Sequence, residues 1–163
     1  MSELGDLVKA AARAPATAAG ADVTRPHVGL HTGARWFAVA AVEVAEVVAF
    51  PAVTRVPAAP AHVLGVAMVR TRLVPVLDLE HLVSARPTPR LERGRAVVVR
   101  IGDREAALVA TVTRGMIALT DGDQPEPPTE RPVWIAREVG VGDALYAVLD
   151  VATLLDHALG HRT

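Results

Sequence analysis

The chain has 163 residues, a formal net charge of −1, no cysteine and only 3% aromatic residues. Length and a 51% apolar content allow one domain, or two small fused lobes, with a substantial core built from Val, Leu, Ile and Ala. The missing cysteines exclude a disulfide scaffold, a thiolate zinc site and a cysteine nucleophile, and the scattered, balanced charges argue against a nucleic-acid partner.

Residues 1–26 differ in kind from the rest and read as a flexible or helical extension. Ser2–Arg13 (SELGDLVKAAAR) fits about three helical turns, with Leu4, Leu7, Val8 and Ala11 on one stripe, and Ala14–Arg25 reads as a tether. Glu3 and Asp6 stand where a secretion signal carries basic residues. The most apolar run, Phe37–Phe50, holds Glu43 and Glu46 and is too short for a bilayer. A cytoplasmic chain without membrane insertion is expected.

Strand signals begin at His27. Val28–His31 and Arg35–Ala41 flank a Thr32-Gly33-Ala34 turn, and Val42–Phe50 continues as a strand whose alternation slips around Ala45–Glu46, as at a bulge. Pro51, Pro57 and Pro60 mark an extended connection. Leu64–Arg70 and Arg72–Leu77 read as strands around a tight corner, and Asp78 caps a short helix, Leu79–Val83. The polar Ser84–Gly94 separates a first lobe, about 27–84, from a second, about 94–150. In the second lobe Arg95–Ile101 reads as a strand covered on both faces, followed by Arg104–Ala110 and Val112–Leu119. Beyond the acidic, proline-rich Thr120–Pro132, a last hairpin pairs Trp134–Val139 with Ala144–Leu149, and Asp150 caps a closing helix, 151–159, ended by Gly160.

About ten short strands with two brief helices favour small barrels over a doubly wound sheet. An internal echo supports two lobes. Leu73–Val83 (LVPVLDLEHLV) recurs 72 residues later as Leu145–Leu155 (LYAVLDVATLL), and Phe37–Phe50 matches Ala106–Leu119 more weakly.

The chain has none of the common phosphate, dinucleotide, hydrolase or zinc-protease signatures, and no cofactor or metal site is expected. His27 and His31, four apart in extended chain, are separated by roughly 13 Å, too far to share a metal. His157 and His161 straddle Gly160 at a fraying helix end. Asp78 and Asp150 admit a catalytic reading as paired carboxylates, but each stands where a helix cap is needed. Trp36 and Trp134 are expected to fill the core or the seam between lobes.

Thr54–Leu79 reads TRVPAAPAHVLGVAMVRTRLVPVLDL. It resembles the most diagnostic stretch of the CheW-type chemotaxis coupling proteins, in which a VP-x-x-P turn leads to GV-x-N-L-R-G and then V-P-V-x-D-L-R. Val56, Pro57, Pro60, Gly65, Val66, Arg70, Val74, Pro75, Val76, Asp78 and Leu79 fall in register, as do Val44, Glu46 and Val47 upstream, and the likeness spans roughly residues 28–157. It implies a mainly β fold of two intertwined five-stranded, SH3-like barrels sharing an apolar core. It also implies a non-catalytic adaptor between the cytoplasmic tip of a methyl-accepting receptor and the regulatory domain of a CheA-type histidine autokinase. Val44, Glu46, Gly65, Arg70 and Thr71 are the implied partner-binding residues. Three positions depart from the pattern: Met68 replaces an Asn, Thr71 a Gly, and Ala110 the Asp of a V-D-x-V. A Thr at that tight corner is expected to alter the turn or to be strained. A divergent or accessory coupling protein that does not build full array rings is the finer expectation. An SH3-like binding module of another pathway, or an enzyme using Asp78 and Asp150, are the alternatives.

Overall fold

A computed structural model describes residues 23–120 and 130–160. The helix expected over Ser2–Arg13, most of the tether and most of the Thr120–Pro132 loop lie outside the described residues, as does His161. Among the described residues eleven strands run in chain order: β1 (Thr24–His31), β2 (Trp36–Ala40), β3 (Val44–Ala49), β4 (Val53–Thr54), β5 (Val63–Val69), β6 (Arg72–Leu77), β7 (Arg95–Ile101), β8 (Arg104–Ala110), β9 (Val112–Thr120), β10 (Ile135–Val141) and β11 (Ala144–Leu149). Helix α1 (Leu79–Ser84) follows β6, and α2 (Val151–Leu159) follows β11.

The strands form two sheets, ordered β10-β11-β2-β1-β9 and β3-β7-β8-β6-β5-β4. Each sheet mixes strands from both copies of the repeat. The last strand of the first copy, β6, pairs parallel to β8, and its counterpart β11 pairs parallel to β2. Likewise β3 pairs with β7, and β9 with β1. The copies are therefore intertwined rather than laid side by side.

The echo recurs in detail. The Asp78 amide donates to the His62 carbonyl and the Asp150 amide to the Trp134 carbonyl, at 2.8 and 2.9 Å. Val63 donates to Pro60 as Ile135 does to Pro132, and each partner lies 72 residues beyond its counterpart. Even the bulges repeat, with Leu64 extra in β5 and Ala136 extra in β10. The slip expected around Ala45 is a true bulge: Val44 faces Val99 while Glu46 faces Val98.

Strand alternation divides the core into three parts. Val97, Val99, Ala106, Leu108 and Ala110 join Leu30, Phe37, Val39, Trp134 and Leu154 in the seam shared by the sheets. The opposite faces of β7 and β8 (Ala96, Val98, Ala107, Val109) pack with Val69, Val74 and Val76 inside the six-stranded sheet. Ala38, Leu119, Val139, Tyr146 and Val148 do the same for the other sheet. Burial on both faces explains the near-continuous apolar run of β7.

Several boundaries differ from the sequence reading: Ala41–Glu43 forms a 3-10 turn, so the strand expected from Val42 begins at Val44, and the last hairpin's first strand begins at Ile135 rather than Trp134. β1 begins at Thr24, because β9 runs far enough to pair with it. Pro26 is tolerated there, since β2 reaches only to His27 and leaves its missing donor on the open side. The eleventh strand, β4, is a two-residue pairing of Val53 with Ala67 and Thr54 with Val66, short enough to hide among prolines.

Candidate partner-binding surface

All five implied contact residues fall on the six-stranded sheet, though they are not equivalent. Val44, at the start of β3, turns inward and packs against the shared core. Gly65, in β5, is buried. Its φ is +147°, and a Cβ there would lie 2.1 Å from the Thr54 carbonyl oxygen, so its absent side chain lets β4 approach. Glu46, Arg70 and Thr71 reach the surface.

Glu46 and Arg70 meet directly. The Arg70 Nε donates to Glu46 Oε2 at 2.8 Å. Three strands separate β3 from β5 in the sheet, about 19 Å if it were flat, so this contact requires a strongly curled sheet. The Arg70 side chain is 76% exposed and that of Glu46 22%, which leaves the guanidinium displayed on a partly anchored stem.

The strain expected at Thr71 falls on its neighbour. Arg70 has φ +56°, whereas Thr71 keeps an ordinary negative φ. The equivalent residue of the β10–β11 turn, 72 positions on, is Gly142 at φ +60°. The same turn thus uses glycine in one lobe and a left-handed arginine in the other, at a cost of roughly 1–2 kcal/mol.

Two apolar neighbours were not among the expected contacts. Met68 and Leu73 are directly opposed across β5 and β6, and both are large and exposed, at 56% and 66%. Alternation held the signal for Leu73: Val74 and Val76 are buried, so Leu73 faces outward. Beside this corner Glu105 takes both Arg100 and Arg72. Ala110, by contrast, is fully buried, so the methyl there fills core.

The aspartates have settled structural tasks. Asp78 is fully buried, and its carboxylate accepts from the amides of Glu80, His81 and Thr88 and from the Thr88 hydroxyl. Asp150 accepts from the Thr153 amide and is exposed. Of the tryptophans, Trp134 fills the seam near Phe37, but Trp36 is only half-buried.

Glu80, in α1, ties the first hairpin to the helix. Its Oε1 accepts from Thr32 at 2.7 Å, and Arg35 donates to both carboxylate oxygens at 3.0 Å. Burial pushes this carboxyl up, but hydrogen bonds from Arg35, Thr32 and Ser84 and the Arg35 charge outweigh it and hold it below 4.5. His31 is lowered below 6.5 by burial, and further by the Arg114 charge, against an opposing pull from Glu80. Glu43 is raised above 4.5 by burial and by Asp150.

For His31 and Glu80 the unfolded chain binds protons more readily, so acid erodes stability, first below pH 6.5 and then below 4.5. Glu43 acts in the opposite direction, adding stability as pH falls below its raised value. E80Q is expected to lose about 2–3 kcal/mol at pH 7 and to lack the loss below pH 4.5, read from urea midpoints between pH 7 and 3.5. An unchanged pH profile would show that the Arg35–Glu80 pair is not what acid disrupts.

Intertwined β-repeats, aspartates that cap helices and an exposed ionic turn beside bare apolar side chains define a duplicated β scaffold. Comparison with known proteins identifies the kind. The sequence profile of the CheW-like domain matches residues 27–159, and the chain belongs to that family. CheW-like domains are coupling and scaffolding domains of chemosensory signalling. Protein PilI of Pseudomonas aeruginosa is 35% identical over 89 residues, 55% of this chain and about half the length of that relative. The crystal structure of scaffolding protein TtCheW from Thermoanaerobacter tengcongensis superposes with a TM-score of 0.73 at 18% identity, covering 85% of this chain and 97% of the other. The mainly β fold expected from the sequence is the one found, arranged as two sheets of five and six strands, and it matches the fold of the CheW scaffolding protein.

Proposed function

We propose that this chain is a cytoplasmic, non-catalytic adaptor that joins the regulatory domain of a CheA-type histidine autokinase to the cytoplasmic tip of a methyl-accepting receptor. The observation that carries this reading is the Arg70 corner. A non-glycine residue held at positive φ, when the equivalent turn uses Gly142, marks a side chain kept at a conformational cost. Its guanidinium is oriented by Glu46 and flanked by exposed Met68 and Leu73, a charged anchor within an apolar surround. Thr71 lies in the same turn and is exposed to the same partner. With Met68 and Thr71 in place of the family's Asn and Gly, the corner keeps its kinase contact but does not close array rings.

Arg70→Gly tests this. Backbone relief is expected to hold stability level or raise it by up to about 1 kcal/mol, while binding to the kinase regulatory domain falls roughly tenfold, measured by calorimetry. Unchanged binding would remove Arg70 from the interface. In pulldowns, binding to neither kinase domain nor receptor tip would end the adaptor reading, and ring assembly with both would end the divergent-surface version.

A further inference from the structure

The duplicated scaffold supplies its own comparison for one surface. In the β7–β8 hairpin Arg100 stands opposite Glu105 and pairs with it at 3.1 Å. At the same place in the β1–β2 hairpin, 69 residues earlier, His31 stands opposite Trp36. An ion pair serves this corner in one lobe, so the fold does not demand rings there. Yet a chain with only two tryptophans places one of them, half-exposed, at this position.

Trp36 is the centre of a built cluster. The His31 ring meets it edge-on at 4.8 Å, Tyr146 lies 5.5 Å away, and the Arg114 guanidinium stacks 4.5 Å above its centroid. Arg114 Nη1 donates to the Tyr146 hydroxyl at 2.7 Å, a neutral partner that fixes the guanidinium without cancelling its charge. His31 Nδ1 accepts from the Gly33 amide, which orients the neutral ring. His31, Trp36 and Arg114, together with Val141, Ala144 and Leu145, line a hollow of about 700 Å³. Two arginines and one acid, Asp143, line it, and Arg35 is already matched by Glu80.

The geometry points to this hollow as a second docking site, for an acidic peptide segment of a partner protein. One Glu or Asp side chain of that segment is held by Arg114, and aliphatic neighbours lie on Trp36 and Leu145. A guanidinium already stacked and fastened loses little entropy when it grips a carboxylate. Trp, Tyr and Arg are also the side chains that dominate interface energetics. The site belongs to the five-stranded sheet, away from the Glu46–Arg70 corner, and goes beyond the adaptor reading because it does not depend on the identity of kinase or receptor.

The test is an NMR titration of the isotope-labelled full chain with the blocked peptide Ser-Leu-Glu-Leu-Glu-Leu-Ser and its Gln-for-Glu isostere. The Glu peptide is expected to shift the Trp36 indole and the β1–β2 and β10–β11 turn amides, with the Gln peptide at least roughly tenfold weaker. R114Q is expected to lose the same factor, as is R114K, which keeps the charge without the stacked fork, while R70G binds normally. Equal binding of both peptides, full binding by R114Q, or no shift at Trp36 would overturn the proposal.

Discussion

Gly65→Ala is expected to cost about 3–5 kcal/mol, read as a drop in the urea midpoint with an unchanged slope. The added Cβ would meet the Thr54 carbonyl oxygen at 2.1 Å, its carbon at 2.7 Å and Val53 Cγ1 at 2.9 Å. Two of these atoms are backbone, so no rotamer change relieves the clash. The backbone angle of +147° adds strain for any L side chain. The remaining escape is to push β4 off β5, which breaks the Val53–Ala67 and Thr54–Val66 pairing and loosens Val53 from its core cluster. The expected loss is therefore one of stability, read from the urea midpoint. A cost under about 1 kcal/mol would mean that β4 yields freely and that its close approach matters little.

The same residue shows what a sequence discloses and what it withholds. A glycine entering an apolar strand announces close approach or positive φ, and here it is both, but only the fold names Thr54 as the neighbour. Ala45 was legible because a bulge interrupts a period of two, and Asp78 and Asp150 because a cap has a fixed place before a helix. The 72-residue echo disclosed duplication, and the exchange of strands between sheets then followed from pairing that no local pattern encodes. Arg70 was legible as a corner, whereas its positive φ was not: the missing glycine at Thr71 drew attention to the wrong member of the turn. Glu46 and Arg70 are 24 residues apart, and only the curl of the sheet brings them to 2.8 Å. The Trp36–Arg114–Tyr146 cluster draws on β2, β9 and β11, three strands of unrelated local sequence. Scarcity of aromatics suggested that both tryptophans fill the core or the seam between lobes. Trp134 does, and Trp36 stands half outside it.

Asp78→Ala and Asp150→Ala are expected to differ sharply although the two residues hold equivalent places in the repeat. Asp150 is an ordinary cap, exposed, with one amide at 3.1 Å, and its loss should cost about 1 kcal/mol. Asp78 caps α1 through Glu80 and His81, and also holds the Thr88 amide at 2.8 Å and hydroxyl at 2.6 Å. Thr88 is itself buried, in the segment that leads from α1 to β7, so one carboxylate fastens the link between the two copies. Removing it leaves the Thr88 donors and the first amides of α1 without their acceptor, each a desolvated group that water cannot easily reach. A loss of about 3–5 kcal/mol is expected for D78A, against about 1 for D150A, from parallel urea titrations at pH 7. D78N should recover only part of it, because an amide offers one acceptor oxygen where the carboxylate uses two. Similar losses for the two alanine variants would mean that the Thr88 bonds add little to the cap. The strand pairings already hold the two copies together, and Asp78 adds to them a fastening of the connecting segment that Asp150 does not supply.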